Sequence, residues 1–158
     1  MNLTILKTEQ ATIKAGSAFA KKLHGGDVVL LYGELGAGKT TFAKGIAKGL
    51  GIKNTITSPT FTLMGVYQIP PRNPSTRRPG RLAQDDTIGA GHQLCHIDTY
   101  RLKDVQELRA IGAEDYIGDP HTITIIEWPE KIADLLADKK TKAVYFQHHK
   151  GRRTIAFS

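Results

Sequence analysis

The stretch GELGAGKT, Gly33 to Thr40, satisfies the pattern G-x-x-x-x-G-K-[ST] of a Walker A phosphate loop, or P-loop. Those residue types at that spacing suit a nucleotide tail. Glycines let the backbone wrap closely, so that successive N–H groups face phosphate oxygens. Gly33, Gly36, Ala37 and Gly38 provide the wrap, Lys39 reaches the β- and γ-oxygens, and the Thr40 hydroxyl is suited to ligating Mg²⁺. Thr41 is placed to contact the α-phosphate. Chance produces such a pattern in about one or two of a hundred chains of this composition, so the flanks decide. VVLLY (Val28 to Tyr32) before it reads as a strand and TFAKGIAKGL after it as a helix, which is the context the motif requires.

A phosphate loop alone binds, whereas hydrolysis also needs a metal and an oriented water. Two apolar runs end in acids: LCHID at Asp98 and TITIIE at Glu127. Strand ends of an open α/β sheet are where its ligand crevice forms, so either acid suits Mg²⁺, directly or through water. The bland alternative for each is a helix cap or a solvated strand end. His96 shares a strand face with Asp98, whereas Cys95 points to the opposite face, which speaks against a metal site built from that pair. His148–His149 offers no better ligand spacing. His96 therefore reads as a packing or hydrogen-bonding histidine.

The elements that must position these groups are legible around them. Thr8 to Leu23 has apolar or small residues at helical spacing, with Thr8 as N-cap. The strand Val28–Tyr32 is apolar throughout, as in a strand covered on both faces. A helix from Thr40 to Leu50 is stopped by Gly51, and FTLMGVY (Phe61 to Tyr67) reads as a strand. Leu94 to Asp98 and Thr122 to Glu127 are further strands, and Asp104 caps a brief helix in DVQELRAIG. PEKIADLL resembles a helix opened by proline. KAVYFQHH and RRTIAF, joined by a KG turn, form a closing hairpin. Residues 68–93 break the pattern with prolines, glycines and charge, and predict a long mobile surface insertion.

The 158 residues suit a single domain, 1–158, and no apolar run approaches the roughly 20 residues of a membrane span. The N-terminus lacks the basic start and apolar region of a secretory signal. A lone cysteine, Cys95, cannot form an internal disulfide, and a cytoplasmic location is expected. Net charge is +7, which favours polyanions, but four of the eight arginines (Arg72, Arg77, Arg78, Arg81) fall within the insertion. That concentration weakens the case for the whole domain as a nucleic-acid binder; neither DNA nor a membrane is an expected partner.

Taken together, GELGAGKTTFAKGIAKGLGI, SPTFTL, HIDTYRL, GAEDYI and IIEWPEK resemble, in order and chemistry, the TsaE (YjeE) family of P-loop ATPases. The resemblance implies a three-layer α/β P-loop NTPase fold, with a mostly parallel central sheet and a C-terminal antiparallel hairpin. It implies a weak, partner-stimulated, Mg²⁺-dependent ATPase accessory to tRNA threonylcarbamoyladenosine (t6A37) synthesis. The partner is the TsaB–TsaD complex, with tRNA engaged indirectly through it. By position, Thr40 and Glu127 match metal ligands, Thr60 a switch-like threonine near the γ-phosphate, and Asp98 an acid needed for hydrolysis. Lys39 keeps its phosphate role. Glu9 falls where the family contacts adenine, Trp128 matches the tryptophan beside the metal acid and close to the nucleotide, and Gly151 and Arg152 match residues that reach the nucleotide. Two departures stand out. Glu34 replaces the usual aspartate, and residues carrying the arginine cluster lengthen a connection that the family keeps short. That segment reads either as a solvated loop or as a place where Arg77 and Arg78 touch tRNA or an acidic surface.

Rival classes remain. A small-molecule or nucleotide kinase shares the loop, but its acceptor lid needs ordered arginines, which the Pro/Gly-rich insertion does not suggest. A GTPase is disfavoured because N-K-x-D is absent. A nucleotide-gated binding module with negligible turnover differs from a weak ATPase only in degree.

Overall fold

The computed structural model describes residues 3–54, 56–71, 92–149 and 152–158. Its sheet contains β1 (Leu3–Leu6), β2 (Val28–Tyr32), β3 (Met64–Gln68), β4 (Gln93–Asp98), β5 (Thr122–Glu127), β6 (Thr141–His149) and β7 (Arg152–Phe157). The spatial order is β1-β7-β6-β2-β5-β4-β3. The helices are α1 (Glu9–Ala20), α2 (Lys39–Gly49), α3 (Val105–Ala110) and the single turn α4 (Ala133–Leu136).

The strands β2, β5 and β4, which are almost entirely buried, lie side by side at or next to the middle. In β2, Val28 to Leu31 are buried, as is every residue of β5. Alternate residues of these strands enter two cores. Val29, Leu31, Leu94, Ile123 and Ile125 pack with Phe42 and Ile46 of α2. Val28, Leu30, Cys95, Ile97 and Ile126 pack with Leu108 of α3 and Leu136 of α4. Helices therefore cover both faces of the sheet. On the first face α1 and α2 approach so closely that a Cβ on Gly16 would lie 2.3 Å from the Phe42 carbonyl oxygen, and one on Gly45 2.3 Å from that of Ile13. Only glycine permits that contact.

The sheet is mixed, which corrects the mostly parallel arrangement expected. The pairings β2–β5, β2–β6 and β4–β5 are parallel. The pairings β1–β7, β6–β7 and β3–β4 are antiparallel. Both edges are responsible. Strand β1 escapes the sequence reading because LTIL is short and only Leu6 is buried; pairing with β7 makes it a strand. The C-terminal hairpin β6–β7 is present as expected.

Caps and turns explain most other boundaries. Thr8 Oγ1 accepts from Ala11 N at 3.1 Å, as an N-cap should. Asp104 and Glu107 form a reciprocal capping box at α3. Strand β3 starts at Met64 and not at Phe61, because Leu63 adopts a left-handed φ of 62° and Phe61 is 82% exposed. PEKIADLL is not one helix: a 3-10 turn, Pro129–Ile132, precedes α4, and Ile132 breaks the run at φ −130°. The two ends of the insertion expected at 68–93 are part of the sheet and its extension, and residues 72–91 lie outside the described residues. Gln68 pairs with Gln93 in the β3–β4 ladder, and Ile69 N donates to His92 O at 2.9 Å. The arginine cluster itself lies outside the described residues.

Candidate active site

Residues 33–38 connect the carboxyl end of β2 to α2. Gly33, Gly36 and Gly38 take φ values of 143°, 76° and 107°, which side-chain-bearing residues rarely adopt. At Gly33 sterics add to this, since a Cβ there would lie 2.6 Å from Phe146 O of β6. At Gly36 a Cβ would meet nothing within 4 Å, so the loop is open on that side. Gly38 is the N-cap of α2 and brings no side-chain cap. The first N–H groups of the helix are thus left for another acceptor, at the end where the helix dipole is positive.

Lys39 is buried, and its ammonium turns back into the loop. Nζ donates to Gly33 O at 2.6 Å and Glu34 O at 2.9 Å, and lies 3.9 Å from the Trp128 ring centroid. Burial lowers the Lys39 pKa from its ordinary 10.5, against the opposing pull of the Glu127, Asp98 and Glu130 carboxylates. Beside it, Thr40 Oγ1 donates to Glu127 Oε1 at 2.9 Å and Oε2 at 3.1 Å, across 87 residues of chain. The same Oε1 lies 2.9 Å from His96 Nε2, and His96 is fully buried.

Asp98 and Glu127 are register partners on adjacent parallel strands. Their surroundings differ. Asp98 Oδ2 accepts from Thr60 Oγ1 at 2.5 Å and Ser58 Oγ at 3.2 Å, and Oδ1 accepts from Tyr100 N at 2.9 Å. Trp128 follows Glu127 in a left-handed conformation (φ 60°, ψ 47°), with its carbonyl accepting from Thr99 Oγ1 at 2.6 Å. That turn lays the indole over Lys39 and 5.0 Å from the Tyr100 ring.

Lys39, Thr40, Glu127, Asp98, Thr60 and Trp128 therefore converge at one end of the sheet. Thr41, the third residue of α2, is half-buried. Glu9 is exposed in the first turn of α1, on the same helix face as Thr12 three residues later. Thr12 Cγ2 lies 3.6 Å from where a Cβ on Gly38 would be, which sets this end of α1 against the loop. Gly151 and the Arg152 side chain lie outside the described residues. Strand β6 continues past Tyr145, the partner of the last β2 residue, so the hairpin extends beyond the sheet end that carries the loop.

Ser58 was not singled out from sequence, although it sits in the same SPT as Thr60. The partner of His96 was also missed: period-two alternation placed the histidine on the Asp98 face, but only strand register carries it to Glu127. Cys95 does face the opposite core, and burial pushes its thiol pKa up to about 12. Among the described residues, no three His, Cys, Asp or Glu side chains cluster as a metal site would require. A divalent cation held with few protein ligands and with phosphate oxygens is a different case, and a hydroxyl–carboxylate pair beside a phosphate loop fits it.

The family model described as "Threonylcarbamoyl adenosine biosynthesis protein TsaE" matches residues 6–155. The chain belongs to the TsaE family. It is 37% identical over 134 residues to the tRNA threonylcarbamoyladenosine biosynthesis protein TsaE of Treponema pallidum, covering 85% of this chain and 83% of that one. To the Bacillus subtilis TsaE protein it is 34% identical over 149 residues, 94% of this chain and 78% of the relative. The crystal structure of YdiB from Bacillus subtilis superposes with a TM-score of 0.68 at 25% identity, over 99% of this chain and 83% of that one. The chain thus shares its overall α/β fold with that structure. Among the described residues, no helix is long and apolar enough to cross a membrane.

Proposed function

We propose that this TsaE-family chain is a P-loop NTPase-fold protein that binds ATP with Mg²⁺ at Gly33–Thr40. It hydrolyses the nucleotide slowly in support of tRNA threonylcarbamoyladenosine synthesis. The observation that carries this reading is the Thr40–Glu127 contact, which joins the start of α2 to the end of β5 at 2.9 Å. A phosphate loop without such an acid only binds; with one it can also hold a metal against the phosphates.

The backbone N–H groups of Gly36 to Thr40 grip the phosphate tail, and Lys39 exchanges its two loop carbonyls for phosphate oxygens. Thr40 and Glu127 would hold magnesium, whose contribution when bound is to offset charge on the β- and γ-phosphates. Asp98 keeps Thr60 in place and, as a buried carboxylate accepting from hydroxyls and an amide, is suited to orienting a water beside the γ-phosphate. Trp128 stacks near Lys39 and closes one wall, while Glu9 approaches the base from α1. Partners from the threonylcarbamoyladenosine machinery, the TsaB–TsaD pair, stimulate turnover, and tRNA is engaged through them.

The test is phosphate release from ATP by the purified chain, with and without TsaB–TsaD. Stimulated release of inorganic phosphate is expected. Transfer of phosphate to an acceptor would instead indicate a kinase.

A further inference from the structure

His96 is a buried polar group at this end of the sheet that the proposed function does not use. Its ring is fully buried, Nε2 lies 2.9 Å from Glu127 Oε1, and among the described residues Nδ1 has no hydrogen-bond partner. A histidine kept only for packing normally satisfies both nitrogens, and leaving one buried without a partner is destabilising. An apolar side chain would fill this site without that cost. What the imidazole adds is one hydrogen bond to one carboxylate. An ionised carboxylate only accepts, so Nε2 carries the proton and donates.

We propose that His96 is a positioning residue for the metal-holding carboxylate: its Nε2–H anchors Glu127 Oε1 from β4 and so presents Oε2 toward Thr40 and the cation. The proposal rests on the reading of Glu127 as a magnesium ligand. A glutamate side chain has three rotatable bonds, and fixing such a chain costs conformational entropy. Thr40 alone does not fix it, because its hydroxyl is shared between Oε1 and Oε2 at 2.9 and 3.1 Å. His96 engages only Oε1, and it does so from a strand buried on both faces. Oε2 is left with Thr40 as its only partner among the described residues. Partners that orient a metal ligand in this way are typically worth 10- to 100-fold in metal affinity.

The test is a Mg²⁺ titration of ATP-analogue binding to the full chain, with analogue affinity also measured in EDTA. For His96→Leu the Mg²⁺ midpoint is expected to rise about 10- to 100-fold, with metal-free affinity unchanged within about twofold. His96→Gln, whose amide keeps a donor at similar reach, should recover most of the loss. An unchanged midpoint in His96→Leu overturns the proposal. So does equal impairment of both variants with and without metal, which indicates packing alone. If His96→Leu fails to fold, His96→Gln is compared with His96→Asn, which is too short to reach Glu127; equal midpoints for those two overturn it. Glu127→Gln separates the two levels. If it leaves the midpoint unchanged, the magnesium assignment fails; if it shifts the midpoint while His96→Leu does not, only the role of His96 fails.

Discussion

Two carboxylates lie at the same level of the sheet on neighbouring strands, and both are nearly fully buried. Glu127 is tied to regular structure on both sides, to Thr40 at the start of α2 and to His96 within β4. Asp98 is tied to the irregular segment before β3 through Ser58 and Thr60, and to the amide of Tyr100 in the turn after β4. Equal position and burial thus come with unequal partners. A group held between a helix start and a central strand is suited to a fixed ion. A group whose partners lie on a turn is suited to sensing whether a γ-phosphate is present, because turns rearrange at less cost than packed strands.

The largest effect should separate the two acids directly. Glu127→Ala removes the partner of both Thr40 and His96, and Mg²⁺-dependent nucleotide binding should weaken by more than about 100-fold, read by titration with an ATP analogue. Asp98→Ala should leave that affinity within about twofold and reduce turnover by about 100-fold, read as phosphate release with saturating partner complex. Wild-type hydrolysis in both variants would erase the contrast.

Within the Asp98 side, the two hydroxyls should be unequal. Thr60→Val removes the 2.5 Å hydrogen bond and should slow turnover roughly tenfold, whereas Ser58→Ala removes the 3.2 Å one and should have the smaller effect. Equal rates in the two variants would argue against Thr60 as the group that Asp98 holds.

The smallest expected effect lies on the Glu127 side and concerns pH. Burial lowers the Lys39 pKa below 10.5, so between the lowered value and 10.5 the unfolded chain binds more protons than the folded one. Stability should therefore gain a rising contribution as pH climbs through that window. Lys39→Met should lack it, which paired denaturant titrations across the same pH range would detect as a difference in slope.

Much of the frame was legible because it depends on local chemistry. A continuous apolar run places β2, largely apolar runs ending in acids place β4 and β5, Thr8 and Asp104 announce two helix starts, and Gly33 to Thr40 announces the loop. Departures arose where neighbours, and not the residues themselves, decide. The segment Leu3–Leu6 is a strand because β7 lies beside it, and Phe61 to Leu63 is a turn although its residues have strand propensity. Gln68 and Gln93 belong to a ladder that neither polar side chain suggests.

The same division holds at the site. By itself the sequence determined which groups exist: a glycine-rich loop ending in Lys39 and Thr40, two acids at strand ends, a threonine in SPT, a histidine on the face of Asp98. The tertiary structure decided which of them touch. That β4 lies beside β5 in the register pairing Asp98 with Glu127, and that α2 begins over Glu127 and not over Asp98, are consequences of strand order and helix packing. Strand order is set by burying both cores at once, a sum over contacts distant in sequence, whereas a motif is set by a few adjacent residues. The loop therefore declares its chemistry in eight letters, and the pairing of His96 with Glu127 becomes visible only once the sheet is assembled.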